Sequence, residues 1–158
     1  GSHLADRLLA DGHEVRALDS LAPQVHGSAA GRSDDGGRPP YLSKDVELIV
    51  GDVRDPRACR RALLGVDAVF HFAARVGVGQ SMYEIADYTD VNNVGTATLL
   101  EAMTKRSIER LVVASSMSVY GEGLYVTGDG SPLPPQQRRL EDLRRGDWEV
   151  RDAEGQIG

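Results

Sequence analysis

Residues 46–74 read VELIVGDVRDPRACRRALLGVDAVFHFAA, and this stretch decides the fold. Val46–Val50 is apolar and rich in β-branched residues, and it stops at Gly51-Asp52, which predicts a buried strand. Pro56 then suits the first turn of a helix, where a missing N–H costs nothing, and Gly65 closes that helix. Asp67–Ala74 is a second, mostly apolar run, with Val69-Phe70-His71-Phe72 at its centre. A strand, a helix and a second strand of mostly apolar character make the repeating unit of a parallel sheet. Antiparallel strands with one wet face would alternate apolar and polar residues instead.

The same alternation continues on both sides. Upstream, residues 2–11 form an amphipathic helix with Leu4, Leu8 and Leu9 on one face, closed by Gly12. Val15–Asp19 is a short strand ending in an acid, and residues 22–45, rich in Gly, Pro and Ser, read as a long polar loop. Downstream, residues 83–106 predict one long helix burying Leu99, Leu100 and Met103, and Leu111–Ser115 a fourth strand. The expected class is therefore α/β, a parallel sheet covered by helices on both faces. After Gly123 the pattern fades. Residues 124–158 hold Pro132, Pro134 and Pro135, and Arg138, Arg139, Arg144 and Arg145 interleave with Glu141, Asp142 and Asp147. This second region, 124–158, is expected to be a polar insertion or linker with a solvated mixed-charge face.

Composition narrows the function. A formal net charge of −6 argues against nucleic acid or an anionic membrane as a partner, because phosphate binding wants excess Lys and Arg. No apolar run approaches the ~20 residues that cross a bilayer, and a cytoplasmic location is expected. A single cysteine, Cys59, excludes an internal disulfide and a multi-cysteine metal site; its place in a helix predicts an inert role, and no metal is expected.

Candidate functional residues gather at one edge. In open parallel sheets ligands collect beyond the carboxyl ends of the strands. Asp19, Asp52, Ala73-Ala74 and Ser115-Ser116 all close predicted strands. An acid such as Asp19 can accept from both hydroxyls of an adenosine ribose and would repel a 2′-phosphate, favouring NAD over NADP; equally, it can be a plain turn residue. Ala73 and Ala74 are small enough for a ligand to approach their backbone, or simply to pack. Asn92, between Val91 and Val94, needs hydrogen-bond partners if buried, with neighbouring backbone the ordinary choice.

Taken in order, these residues resemble the extended short-chain dehydrogenase/reductase family, the nucleotide-sugar epimerases and dehydratases. The matching segments are Gly1-Ser2-His3-Leu4, Gly12-His13-Glu14-Val15, Leu18-Asp19, Gly51-Asp52-Val53-Arg54-Asp55, His71-Phe72-Ala73-Ala74, Asn92-Asn93-Val94-Gly95-Thr96 and Ser115-Ser116-Met117-Ser118-Val119-Tyr120-Gly121. The resemblance implies a Rossmann-like doubly wound sheet over residues 1–123, incomplete, with NAD as cofactor and a nucleotide sugar as substrate. Gly1-Ser2-His3 could pass for the remnant of a cleaved tag, but the resemblance makes Gly1 the third glycine of the family's phosphate loop. It implies that Asp19 holds the adenosine ribose, that Asp52 and Val53 meet the adenine, and that Phe72, Ala73 and Ala74 line the path to the nicotinamide. Asn92 orders the cofactor loops. Ser116, beside Ser115, takes the catalytic Ser/Thr position and bonds the sugar hydroxyl being oxidised; Tyr120 is not the family's base.

The same resemblance separates the reactions. The family's dehydratases carry acids between that Ser/Thr and the Val-Tyr-Gly, where this chain has Met117 and Ser118, and neither is a general acid near neutral pH. Epimerisation is expected instead: oxidation to a keto-sugar, rotation and reduction. The segment after Tyr120 is similar to bacterial epimerases with an insertion here, among them those of deoxythymidine-diphosphate-rhamnose; a UDP-hexose is the other expected substrate. Departures from the pattern predict a fragment. The family's first, central strand and two glycines would precede Gly1, and no Tyr-x-x-x-Lys follows Ser116, since Tyr125 is followed at the fourth position by Asp129. The polypeptide alone is expected to be weakly stable and inactive, its parent an enzyme and a homodimer. A non-catalytic NAD(P)-binding module, a dehydratase and a ketone reductase are the alternatives.

Overall fold

The computed structural model describes residues 1–27, 37–120, 125–126, 128–133 and 138–150. Two compact units divide the chain, Gly1–Ala114 and Ser115–Gly158.

The first unit opens with α1 (Ser2–Ala10), which buries Ala5 and ends as expected, with Gly12 at φ +86° in the left-handed region that glycine enters without steric cost. β1 (Arg16–Asp19) follows, then a short helix, α2 (Pro23–His26), inside the stretch expected to be loop. Pro23 at the first helical position is the signal for α2 that the Gly/Pro/Ser richness of the region hides. β2 (Glu47–Val50) lies parallel to β1, with Arg16 opposite Glu47 and Asp19 opposite Val50. α3 (Pro56–Ala62) starts at Pro56 as predicted. Asp55 caps it by accepting the Arg57 N–H at 2.8 Å, a contact of about 1 kcal/mol. Arg16 reaches from β1 to the other end of α3, donating to the carbonyls of Ala62 at 3.1 Å and Leu64 at 2.6 Å. A cation there satisfies carbonyls that the helix leaves unpaired.

β3 (Ala68–His71) and β4 (Arg110–Val113) form a second parallel pair, with Ala68 opposite Arg110 and His71 opposite Val113. The helix expected over 83–106 is not one regular helix. α4 (Val78–Ser81) and α5 (Ile85–Thr89) precede a π-helical turn at Asp90–Val94, which runs into α6 (Gly95–Met103). α6 and α3 pack together, and Val53, Cys59, Leu63, Leu99 and Ala102 form the core, with Leu18 of β1 and Val69 of β3 against it. Gly95 is the close approach in that packing: a Cβ there would lie 2.6 Å from Val53 Cγ1. Cys59 is fully buried and its thiol donates to the Val53 carbonyl at 3.1 Å; burial pushes the thiol pKa up, away from reactivity.

The sheet is thus α/β and parallel, and partial. Among the described residues β1 pairs only with β2 and β3 only with β4, so the two pairs are separate sheets and β1 and β3 each keep an open edge. Helices on both faces were expected, yet all four residues of β4 are exposed, as is Phe70 of β3.

In the second unit, a 3₁₀ turn at Met117–Tyr120 is followed by an antiparallel pair, β5 (Tyr125–Val126) and β6 (Pro132–Leu133), and by α7 (Leu140–Arg144). Arg144, Arg145 and Arg139 are exposed, and Arg145 pairs with Asp142 at 2.6 Å, a surface pair of the kind expected from the mixed charge.

Candidate functional site

Asp19 is the last residue of β1, and its side chain is about half exposed, 46%. Its Oδ1 accepts the backbone N–H of Leu21 at 2.8 Å and lies 3.3 Å from His26 Nε2. Nothing among the described residues takes Oδ2. The strand end therefore presents a carboxylate with one oxygen held and the other open to a donor.

Asp52, one strand over, is more committed. Its Oδ1 accepts from the backbone and Nε of Arg54 at 2.8 and 3.0 Å, and its Oδ2 from Nη2 at 2.7 Å. These bonds, the side-chain one foremost, hold the Asp52 carboxyl below the usual carboxylate range, so it is ionised at neutral pH. One acceptor position on Oδ2 is left for a ligand. Arg54 also donates to Asp90 at 2.8 Å and lies 3.7 Å from Asp87, while Arg75 pairs with Asp87 at 2.8 Å. Two arginines and three acids thus tie the loop after β2 to α5 and the π turn. Val53 is buried in the core, so only its main chain can meet a ligand.

Beyond β3, Phe72, Ala73 and Ala74 are exposed, and Phe72 meets Phe70 edge-on with ring centroids 6.2 Å apart. Asn92 sits in the π turn and clamps the end of this loop, accepting the Arg75 N–H at 2.7 Å and donating to the Arg75 carbonyl at 3.1 Å. The backbone role open to Asn92 in sequence is the one the geometry realises. Behind it, His71 Nε2 lies 2.9 Å from Thr96 Oγ1, which donates to the Asn92 carbonyl at 2.5 Å. Because Thr96 spends its proton on that carbonyl, it accepts from His71, which assigns the hydrogen to Nε2. His71 is buried, and desolvation pushes its pKa down, which keeps it neutral.

Gly1 caps α1 from an exposed position with open space around it. Ser115 and Ser116 are exposed in the second unit, where Ser116 Oγ accepts the Ser118 N–H at 3.1 Å. The structure thus brings Asp19, Asp52, Val53 and Phe72–Ala74 to the strand ends of one unit, with Asn92 reaching them from the π turn; Ser115 and Ser116 belong to the other unit. Residues that sequence reasoning missed, Leu21, His26, Tyr41, Arg75 and Gln24, act through loop geometry. Gln24 of α2 donates to Gln80 at 2.7 Å and accepts from Arg75 at 3.3 Å, joining the loops after β1 and β3. A shallow concavity lined by Ala86, Asp87, Thr89, Asp90 and Val94 contains none of the predicted site residues. Among the described residues no cluster of His, Cys, Asp or Glu could hold a metal, and no helix is long and apolar enough to cross a membrane.

Known proteins are similar to this chain in sequence and in fold. Residues 1–140 match the NAD dependent epimerase/dehydratase family. A dTDP-L-rhamnose 4-epimerase of Burkholderia thailandensis is 35% identical over 153 residues, covering 94% of this chain and 40% of its own length. A UDP-glucose 4-epimerase of Yersinia enterocolitica is 36% identical over 129 residues, 80% of this chain and 36% of its own. Among solved structures, the Thermus thermophilus UDP-glucose 4-epimerase in complex with NAD superposes with a TM-score of 0.65 at 32% identity, over 85% of this chain and 41% of that one. A Streptomyces venezuelae dTDP-glucose 4,6-dehydratase with NAD bound gives 0.63 at 32% identity, over 85% and 42%. The chain spans about 40% of the length of these relatives.

Proposed function

The chain belongs to the NAD dependent epimerase/dehydratase family, and from that membership we propose that the full-length protein is an NAD-dependent 4-epimerase of nucleotide sugars. The observation that carries the reading is Asp19, an acid at the carboxyl end of a parallel strand with Oδ2 open, the acceptor that an adenosine ribose needs. The donor set around it fits the cofactor. Asp52 keeps one acceptor position for the adenine amino group, Val53 offers main chain, and Phe72, Ala73 and Ala74 leave an open path towards a nicotinamide. When bound, NAD supplies the reversible two-electron acceptor that lets a sugar alcohol become a ketone and return with its configuration inverted.

The chain's own residues then divide the work. Asp19 binds the ribose and repels a 2′-phosphate. Asn92 holds the Arg75 backbone and with it the end of the loop that carries Phe72–Ala74. Ser116 hydrogen-bonds the sugar hydroxyl that is oxidised. Met117 and Ser118 cannot protonate a leaving hydroxyl, which favours epimerisation over loss of water. The polar region 124–158 is an insertion leading towards the substrate-binding part. Residues 1–158 by themselves do not turn over, and the parent is a cytoplasmic homodimer.

The test supplies the full-length protein, loaded with NAD, with deoxythymidine-diphosphate-rhamnose and with UDP-glucose in heavy water, and follows the sugars by proton NMR. The expected result is the C4 epimer without deuterium at C4, first with the rhamnose nucleotide. Absence of either C4 epimer refutes the reading, and a dehydrated sugar product replaces it with a dehydratase.

A further inference from the structure

The Asp19 carboxylate is held by more than its own strand. The turn that feeds the Leu21 N–H to Oδ1 puts Leu21 at φ +50°, the one non-glycine residue at positive φ among the described residues. Such backbone strain persists where the surroundings over-determine it, and it gathers at functional sites. His26 approaches the same oxygen from the last residue of α2, with Nε2 at 3.3 Å. Its other nitrogen, Nδ1, shares a hydrogen bond of 2.5 Å with the Tyr41 hydroxyl, and the two rings stack with centroids 6.3 Å apart at 18°. A carboxylate only accepts, and a phenol can donate, so the proton order along this string is Tyr41 O–H to Nδ1 and Nε2–H towards Oδ1.

Tyr41 is 56% exposed, whereas the His26 side chain keeps only 11% of its surface open, so the imidazole is held by packing as well as by its polar contacts. What the string does is occupy Oδ1 from a second direction. Held by Leu21 alone, the carboxylate is free to swing about its last torsion. With His26 Nε2 also 3.3 Å from Oδ1, a polar contact from a second side opposes that swing.

We propose that His26, backed by Tyr41, is a positioning residue that fixes the Asp19 carboxylate for a ribose diol and so sets the affinity for a dinucleotide with an unmodified adenosine ribose. This rests on the nicotinamide-cofactor reading above and adds to it a residue that acts through Asp19.

The experiment uses the full-length protein and two probes, NAD and its analogue lacking the adenosine 2′-hydroxyl, with dissociation constants measured by calorimetry. The ratio of the two isolates the ribose contact from general loss of structure. In the wild type the deoxy analogue binds about tenfold more weakly, and in His26→Ala the ratio falls to about twofold while NAD itself weakens about tenfold, as expected for a charge-assisted hydrogen bond that loses its orientation. His26→Gln, which keeps a donor near the Nε2 position, restores most of the ratio. Tyr41→Phe, at an exposed position, lowers it partway. An unchanged ratio in His26→Ala overturns the proposal, and if that variant does not fold, an unchanged ratio in Tyr41→Phe does so. A wild-type protein that binds neither probe overturns the cofactor reading itself and this role with it.

Discussion

Asn92 is the residue whose replacement separates two kinds of hydrogen bond most cleanly. Its amide satisfies both main-chain groups of Arg75, so Asn92→Ala strands a donor and an acceptor at once, at a cost of about 1–3 kcal/mol. Asn92→Asp is expected to be no better, because the second carboxylate oxygen faces the Arg75 carbonyl. Urea unfolding ranks the variants, and faster hydrogen exchange at the Arg75 amide locates the damage. His71 gives a pH signature. Burial lowers its pKa, so the unfolded chain binds a proton more readily than the folded one. The stability contributed by neutral His71 is complete above the unfolded value of about 6.5 and is lost as the pH falls from there through the folded value. His71→Gln, which keeps a donor for Thr96, is expected to flatten the fall in urea midpoint between pH 7 and 5; an unaltered slope would count against it. Asn92 was legible because an amide on a semi-apolar face needs partners. His26 and Tyr41 were not, because their meeting depends on the path of a loop that no periodicity describes.

At the scale of elements, the strand–helix–strand unit at 46–74 was legible from chemistry that acts locally: β-branched residues, Pro56 and Gly65. The segment read as one helix over 83–106 was not, because a π turn adds a residue to a helix without altering which residue types it contains. That extra residue belongs to the turn from which Asn92 reaches Arg75. The start of α6 is equally constrained. Gly95→Ala would place a methyl 2.6 Å from Val53 Cγ1 in the core beside Cys59, and the overpacking is expected to cost about 1–3 kcal/mol. Combining it with Val53→Ala makes room, and thermal unfolding of the double variant should recover part of the loss. Equal loss in the single and double variants would assign Gly95 a backbone role instead.

Across the first unit, the parallel pairs and the acid that ends β1 follow the sequence reading, and β1 and β3 each keep an open edge. Unpaired edges beside exposed Phe70, Val112 and Val113 are templates for association. Purified 1–158 is expected to elute as mixed oligomers and to bind a hydrophobic dye. A monodisperse, dye-silent chain would show the edges to be harmless. The second unit was the least legible: Pro-rich and mixed in charge, it carries no periodic signal for the β5–β6 pair or for α7.

The arginine–acid lattice around Arg54 has a consequence for ionic strength. Its members, Arg54, Asp52, Asp87, Asp90 and Arg75, are between 31% and 50% exposed, within reach of counterions. Raising salt from about 0.01 M to 1 M shortens the screening length from about 30 Å to about 3 Å, which weakens these ties far more than the neutral Asn92 bonds beside them. A concentrated electrolyte should therefore loosen the loop after β2 while the Asn92 clamp on the Arg75 main chain holds its shape, and two neighbouring loops would answer differently to the same solvent.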